Sequence, residues 1–513
     1  MDSISADVVI VFVYLAAVTA MGIALGRQRQ SVQDYFLGDR RIPWFAVSLS
    51  IVATETSTLT FISIPGIAYI ADLSFLQLAF GYVIGRVIIA LTFLPAYFQG
   101  ELFTTYQLLQ RRFGRRMQIF ASLLFLATRT LADGVRLYAT AIPLALITGW
   151  HEILCILIIA VCTILYTYFG GIKSVVWMDV IQSITYVGGA LLVVLVLWRA
   201  LPPDWITRIP LQKWRLFVPG FGSGFWQINY TTLSGLIGGA FLSMASHGTD
   251  QLIVQRVLSC RDLRSGQKAL AVSGIIIVLQ FALFLFLGVM LYAHFQGADI
   301  RPDQVLPQFV VEQLPPIISG LIVASIFAAA MSTLSSSLNS LASSTLFDLL
   351  APDSSTRGIR FSRWATLFWG LVLVGGALFF RTGSQPLVEL GLGIASFTYG
   401  GVLGVFFLSS RSGRTGEDAA ICALWSALYL MIWVNGMAGW VETGLVTLAG
   451  VAGVWLLSRL QSRHLRIFVL LWFVLILCLM LWVDSPRLAW TWLVAAGSAV
   501  TVLLGRILSR CRG

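Results

Sequence analysis

Residues 53–60 read ATETSTLT, and six of the seven positions from Thr54 to Thr60 are polar inside a long, mostly apolar run. Polar groups at that density are costly in lipid, and a β-branched threonine run is a poor helix former, so a local break is expected here. A break exposes backbone carbonyls and half-helix ends, the ligands from which ion and solute sites inside membranes are made. The plain alternative is that these hydroxyls bond back to their own helix or join two helices. A second feature is the stripe Ser332, Ser335, Ser336, Asn339, Ser340 and Ser343, spaced i, i+3, i+4, i+7, i+8, i+11 so that one helix face carries them all. Facing an unwound helix, such hydroxyls would give a hard monovalent cation its oxygens; alone, they read equally as a packing seam. The third feature is a set of ionisable groups inside apolar runs: Glu55, Arg86, Arg129, Asp133, Arg136 and Asp179. Arg129, Asp133 and Arg136 fall at i, i+4 and i+7, a plus–minus–plus ladder that either locks helices in register or leaves one arginine for an anionic group.

The elements that must position these residues are membrane helices. The chain of 513 residues is 58% hydrophobic and 11% charged, with apolar runs of about twenty residues. Backbone amides in lipid need internal partners, so each run is expected to span as a helix. Fifteen spans are expected, near 6–26, 44–71, 74–98, 117–148, 151–169, 178–200, 231–251, 267–294, 316–340, 361–380, 386–410, 417–435, 439–459, 466–483 and 487–507. The fold class is thus an all-α polytopic membrane protein, with the first span read as a retained helix rather than a cleaved leader.

Placing the N-terminus outside and the C-terminus in the cytoplasm puts 24 of the 34 lysines and arginines in cytoplasmic loops and the C-terminal tail. The net charge of +11 is thereby read as a topology signal, and no nucleic-acid partner is implied. The six cysteines fall in spans or on the cytoplasmic side, without disulfide or zinc spacing. No phosphate loop, dinucleotide fingerprint or catalytic constellation follows a strand, so no enzyme and no cofactor besides a transported ion is expected.

Six strings in order, DYFLGDRRIPW (34–44), ATETSTLTFISIPG (53–66), YQLLQRRFG (106–114), YTYFGGIKSVVWMDVIQ (166–182), HGTDQLIVQR (247–256) and FAAAMSTLSSSLNSLASSTLFD (327–348), carry a family pattern. On them the chain resembles the sodium/solute symporter family, which includes sodium-coupled sugar, proline and sialic acid symporters. The resemblance implies a leucine-transporter-type fold: inverted five-helix repeats at 44–200 and 231–410, an extra helix and linker at 1–43, an extracellular loop at 201–230, and further helices at 411–513. The second and seventh spans would be the broken pair, with SMASHGTDQ (243–251) interrupting the latter. The chain would sit in the plasma (inner) membrane and import a small polar organic solute with sodium by alternating access.

Residue by residue, the resemblance assigns one sodium to the carbonyls of Ala53, Thr56 and Ala329 and the hydroxyls of Ser332 and Thr333. A second would use Asp179 with Ser332, Ser335 and Ser336, so one or two sodium ions are expected per cycle. The solute is expected among Glu55, Ser57, Thr58, Phe75, Arg136 and Ser243. Those residue types leave a sugar or polyol, an amino acid and a carboxylate open, with a neutral or zwitterionic solute favoured because Asp133 neutralises one neighbouring arginine. The rival readings are a proton-coupled carrier with Glu55 or Asp179 as relay, and a solute-sensing membrane protein.

Overall fold

The structure, a computed structural model, describes residues 6–26, 31–100, 102–220, 222, 224–350, 356–379, 387–410, 415–435, 450, 453, 460, 462–482 and 488–510. Among these the chain is helical throughout; its only strand-like pairing is an isolated bridge between Ile42 and Cys260.

Helix α1 (Ala6–Leu25) is followed by the broken pair α2 (Trp44–Glu55) and α3 (Thr58–Ile70), bent by 65°. The break lies where the polar run places it. Thr56 (φ −85°, ψ 91°) and Ser57 (φ −82°, ψ 171°) are extended, and the helix resumes at Thr58. Then come α4 (Leu76–Thr92), α5 (Arg115–Thr148) and α6 (Glu152–Ala200). The last of these holds two expected spans, and the loop expected at 170–177 is absent. Gly171 alone turns the chain (φ 57°, ψ −156°), and a Cβ there would lie 2.5 Å from the Tyr35 carbonyl oxygen, so glycine is needed on both counts.

Helices α7 (Gly239–Gly248) and α8 (Gln251–Leu258) form a second broken pair. Their break falls at Thr249 and Asp250, at the end of the expected 243–251 interruption, and helix continues beyond the expected limit of 251. Arg256 is therefore not a loop residue: it is fully buried on α8, and the charge count of that loop loses it. The remaining helices are α9 (Leu263–His294), α10 (Ile318–Ser344), α11 (Thr356–Phe379), α12 (Leu387–Ser410), α13 (Glu417–Asn435), α14 (Arg463–Trp482) and α15 (Trp490–Arg510). The span expected at 439–459 lies outside the described residues apart from Gly450 and Gly453.

By length and hydropathy alone, eight described helices are long and apolar enough to cross a membrane, or nine with the bent α2–α3 pair counted as one. This is fewer than the fifteen expected, for identifiable reasons. Helix α6 counts once, α4 is only 17 residues long, and α5 carries arginines and an aspartate at its centre.

Burial separates interior helices from lipid-facing ones. The apolar windows of Ile318–Leu350, which contains α10, and of Glu417–Val434 in α13 are each 83% buried, and that of α14 only 17%. Asp7 of α1 anchors the start of α10, accepting from the Ile317 amide at 2.6 Å, the Gly320 amide at 3.1 Å and the Ser319 hydroxyl at 2.6 Å. Those amides have no intrahelical acceptor, so the carboxylate caps them from a distant helix.

Candidate ion and solute site

Hydroxyls on both sides of the α2–α3 break tie it to α10. Thr54 Oγ1 lies 3.0 Å from Ser336 Oγ, and Thr58 Oγ1 donates to the Ile326 carbonyl at 3.2 Å. The pairing of 54 with 336 and 58 with 326 runs antiparallel, so Ala329, Ser332 and Thr333 fall opposite the break at Glu55–Ser57. Ala53, Thr54, Thr56, Ala329, Ser332 and Thr333 are buried, none more than 5% exposed. Helix α2 stops at Glu55, where the Thr56 amide still reaches the Val52 carbonyl at 2.9 Å, so the carbonyls after Val52 are the ones that lose intrahelical donors. Gln280 Nε2 holds Thr56 Oγ1 at 2.6 Å, which leaves the Thr56 carbonyl rather than its hydroxyl for a ligand. Neutral carbonyls at a helix break facing hydroxyls suit a monovalent cation carried as cargo.

One turn away, Asp179 of α6 presents two different oxygens. Its Oδ2 accepts from Ser50 Oγ at 2.5 Å and Arg256 Nη2 at 3.1 Å; its Oδ1 accepts from Ser332 Oγ at 2.8 Å. Both partners of the ion pair have no exposed side-chain surface. The Arg256 guanidinium is well satisfied, donating also to Ser50 Oγ at 2.8 Å, the Leu252 carbonyl at 2.6 Å and Ser336 Oγ. Ser335 and Ser336 turn their hydroxyls back to the Ser332 carbonyl, at 3.0 and 2.6 Å. A fixed guanidinium therefore already holds one face of the Asp179 cluster, and only the Oδ1 face meets the α10 hydroxyl stripe.

A cavity of about 160 Å³ lies beside the break, lined among others by Glu55, Ser57, Phe75, Arg136, His247 and Trp490. Glu55 pairs with Arg86 of α4, whose Nη1 donates to Ser273 of α9 at 2.7 Å; His247 Nε2 is 3.6 Å from the same carboxylate. On another wall, Arg129 Nε and Nη2 grip both oxygens of Asp133, at 2.7 and 3.2 Å, and Nη1 reaches Asp250 Oδ2 at 3.3 Å. Asp250 also accepts from Tyr399 at 2.5 Å and caps α8 through the Leu252 amide at 2.8 Å. Asp133 accepts from Ser337 as well. What remains for Arg136 among the described residues is one long side-chain contact, Nη1 to Asp133 Oδ1 at 3.4 Å, with 22% of its side chain exposed. Phe75 closes the apolar side, its ring edge-on to Tyr230 and Phe281.

The model of the sodium:solute symporter family matches residues 35–425. The chain belongs to that family. This symporter is 28% identical over 440 residues to the sodium/sialic acid symporter NanT of Aliivibrio fischeri, covering 83% of this chain and 86% of the relative. It is 30% identical over 355 residues to the sodium/sialic acid symporter SiaT of Proteus mirabilis, covering 65% and 69%. A solved sodium-coupled sialic acid symporter, in a substrate-bound outward-open state, superposes with a TM-score of 0.79 at 23% identity over 99% of this chain and 98% of that one. That likeness gives the fold, which is of the leucine-transporter type. The symporter is accordingly a multi-pass membrane transporter and not an enzyme.

Of the expected sodium residues, the structure of the symporter joins Asp179, Ser332, Ser335 and Ser336 through hydrogen bonds; Ala329 and Thr333 lie on the same helix, Ala53 is on α2, and Thr56 stands in the break, held by Gln280 of α9. The structure brings Glu55, Ser57, Phe75 and Arg136 to one cavity. Ser243 is not among that cavity's lining residues, and its hydroxyl donates to the Tyr82 carbonyl at 3.1 Å. Thr58 turns to α10 and lines a smaller space of about 20 Å³ with Arg136 and Thr333. Glu55, expected as a partner for a solute amine, is already paired with Arg86. Residues not singled out in the sequence are His247, Asp250, Tyr399 and Trp490 on the cavity wall and Arg256 beside Asp179. For Arg256 a signal existed: Asp250 is a good N-cap, so a helix starting at Gln251 and carrying Arg256 could be read in place of a loop.

Proposed function

We propose that this symporter imports a small organic anion bearing a carboxylate, driven by sodium. The observation that carries the reading is Arg136. It lines the cavity, and Asp133, expected to neutralise one of the two neighbouring arginines, is gripped on both oxygens by Arg129 and meets Arg136 only at 3.4 Å. A planar guanidinium with donors unused among the described residues suits a carboxylate. The sialic acid symporters among its relatives are named for an acid, which supports the same class.

The first sodium is assigned to the carbonyls of Ala53, Thr56 and Ala329 with the hydroxyls of Ser332 and Thr333, where it clamps the break against α10. A second sodium is assigned to the Oδ1 face of Asp179 with Ser332, Ser335 and Ser336, while Arg256 holds the other face. Two sodium ions with one anion carry one net charge inward, to which the membrane potential contributes about 2.3 kcal/mol per 100 mV. The excess of basic residues in alternate loops supports an outside N-terminus and a cytoplasmic C-terminus in the plasma membrane. The two broken pairs, α2–α3 and α7–α8, support inverted repeats at 44–200 and 231–410 within a larger set of about fifteen spans. A proton relay is disfavoured because both carboxylates it would use, Glu55 and Asp179, are ion-paired to arginines.

The test is uptake into proteoliposomes under a sodium gradient, comparing carboxylates with their amides. Carboxylates should be taken up and amides refused. Arg136→Lys, which keeps the charge and loses the fork, should weaken apparent affinity about tenfold, the loss of one charge-assisted contact. Equal uptake of acid and amide, with Arg136→Lys silent, sinks the anion reading.

A further inference from the structure

Helix α10 carries its polar face well past the sodium cage. Below Ser336 it presents Asn339, which is 1% exposed and whose amide nitrogen and oxygen both lack partners among the described residues. Ser343 follows, accepting from Gln251 Nε2 of α8 at 3.2 Å. The α8–α10 seam thus includes two polar links, Arg256 to Ser336 and Gln251 to Ser343. Such a seam has polar groups that water or an ion can take over when the helices part.

Beyond Ser344 the helix continues as a π-helical turn, Thr345–Leu350, in which Asp348 is fully buried. Its Oδ1 accepts from Thr104 Oγ1 at 2.5 Å and Gln118 Nε2 at 2.7 Å, and its Oδ2 has no hydrogen-bond partner among the described residues. Ser122, one turn beyond Gln118 on α5, and Ser344, one turn before Asp348 on α10, lie beside this carboxylate. Both hydroxyls are fully buried, and among the described residues neither has a partner other than this carboxylate. The nearby cation Arg115 sends Nη1 to Gln118 Oε1 at 2.6 Å and Nη2 to the Leu349 carbonyl at 3.3 Å, not to the acid. A buried carboxylate without an ion pair among the described residues, surrounded by neutral hydroxyls, is matched by a hard monovalent cation.

We propose that Asp348, Ser122 and Ser344 form a transit site for sodium at the far end of the α8–α10 seam, taken by the ion as it leaves the cage. The site rests on the sodium-symport reading above. Its role is to lower the barrier to release, so it governs the rate of sodium movement and not the affinity of the cage.

The experiment follows isotopic sodium into proteoliposomes of the full chain, beside the sodium concentration that half-stabilises the purified protein against heat. In Asp348→Asn sodium flux should fall about tenfold, and in the Ser122→Ala, Ser344→Ala double variant about threefold, the size of lost contacts to a charged partner. Half-stabilising sodium should stay within about twofold of the wild type in both, because the cage is untouched. Unchanged flux in both variants, or flux and sodium stabilisation falling together, overturns the proposal. So does a wild-type flux set by internal pH that becomes pH-independent in Asp348→Asn, which would make Asp348 a proton site. If Asp348→Asn does not fold, the double serine variant decides. Wild-type uptake that needs no sodium defeats the symport reading itself, whereas sodium-dependent uptake with silent variants defeats the transit site alone.

Discussion

Two buried ion pairs flank the same helix and are built differently. Glu55, at the end of α2, joins Arg86 of α4 and through it Ser273 of α9, with His247 of α7 nearby. Ser50, one turn and a residue earlier on α2, joins Asp179 of α6 and Arg256 of α8, which reach Ser332 and Ser336 of α10. The first pair borders the cavity, Glu55 keeping 15% of its side chain exposed; the second is wholly dry. The difference assigns them different duties. Transporters of this architecture work by moving one group of helices against another around a central site. The Glu55 network joins α2, α4, α7 and α9 into one unit around the cavity, while the Asp179 network bridges from α2 and α8 to the interior helix α10.

The largest effect that would break this comparison is on Arg256. Arg256→Ala leaves Asp179 charged, buried and unpaired, so thermal unfolding in detergent should show a loss of about 3–5 kcal/mol. Adding Asp179→Asn should recover part of it, since the orphaned charge is then gone. A single variant as stable as the wild type would show that water already reaches the pair. Glu55→Gln should cost less, about 1.5–3 kcal/mol, because Arg86 retains Ser273 and the cavity admits solvent. If Glu55→Gln proves the costlier change, the two networks have been assigned the wrong way round. Thr58→Val removes only the hydroxyl bond to the Ile326 carbonyl and should cost about 1 kcal/mol with sodium dependence unaltered. A shift in sodium dependence there would extend the ion site onto α3.

The break itself was legible in the sequence because polar and β-branched residues crowd into an apolar run, and that signal is local. The phase of the α10 stripe was legible for the same reason, although Ser337, off the stripe, also proves polar in its duty toward Asp133. Arg256 was hidden because a count of basic residues treats a buried guanidinium and a loop arginine alike. The cavity wall was hidden for another reason: Trp490 belongs to a helix outside the family match, and Tyr399 reaches Asp250 across 149 residues of sequence. No local pattern marks a residue whose role is created only by packing. The span boundaries missed at 170–177 and 251 fell where one glycine or one capping aspartate replaced the loop that hydropathy alone expects.

The claim on which the rest depends is that sodium sits between the α2–α3 break and the hydroxyls of α10, and Ser332→Ala tests it most directly. Ser332 serves both assigned sodium positions, and its loss removes one oxygen without unpairing Asp179, which keeps Ser50 and Arg256. The measurement is the sodium concentration for half-maximal solute uptake in proteoliposomes, taken beside thermal stability without sodium. The predicted result is a rise of about tenfold in half-maximal sodium with stability in its absence little changed. Unchanged sodium dependence in Ser332→Ala would contradict the account and return the serine stripe to the role of a packing seam.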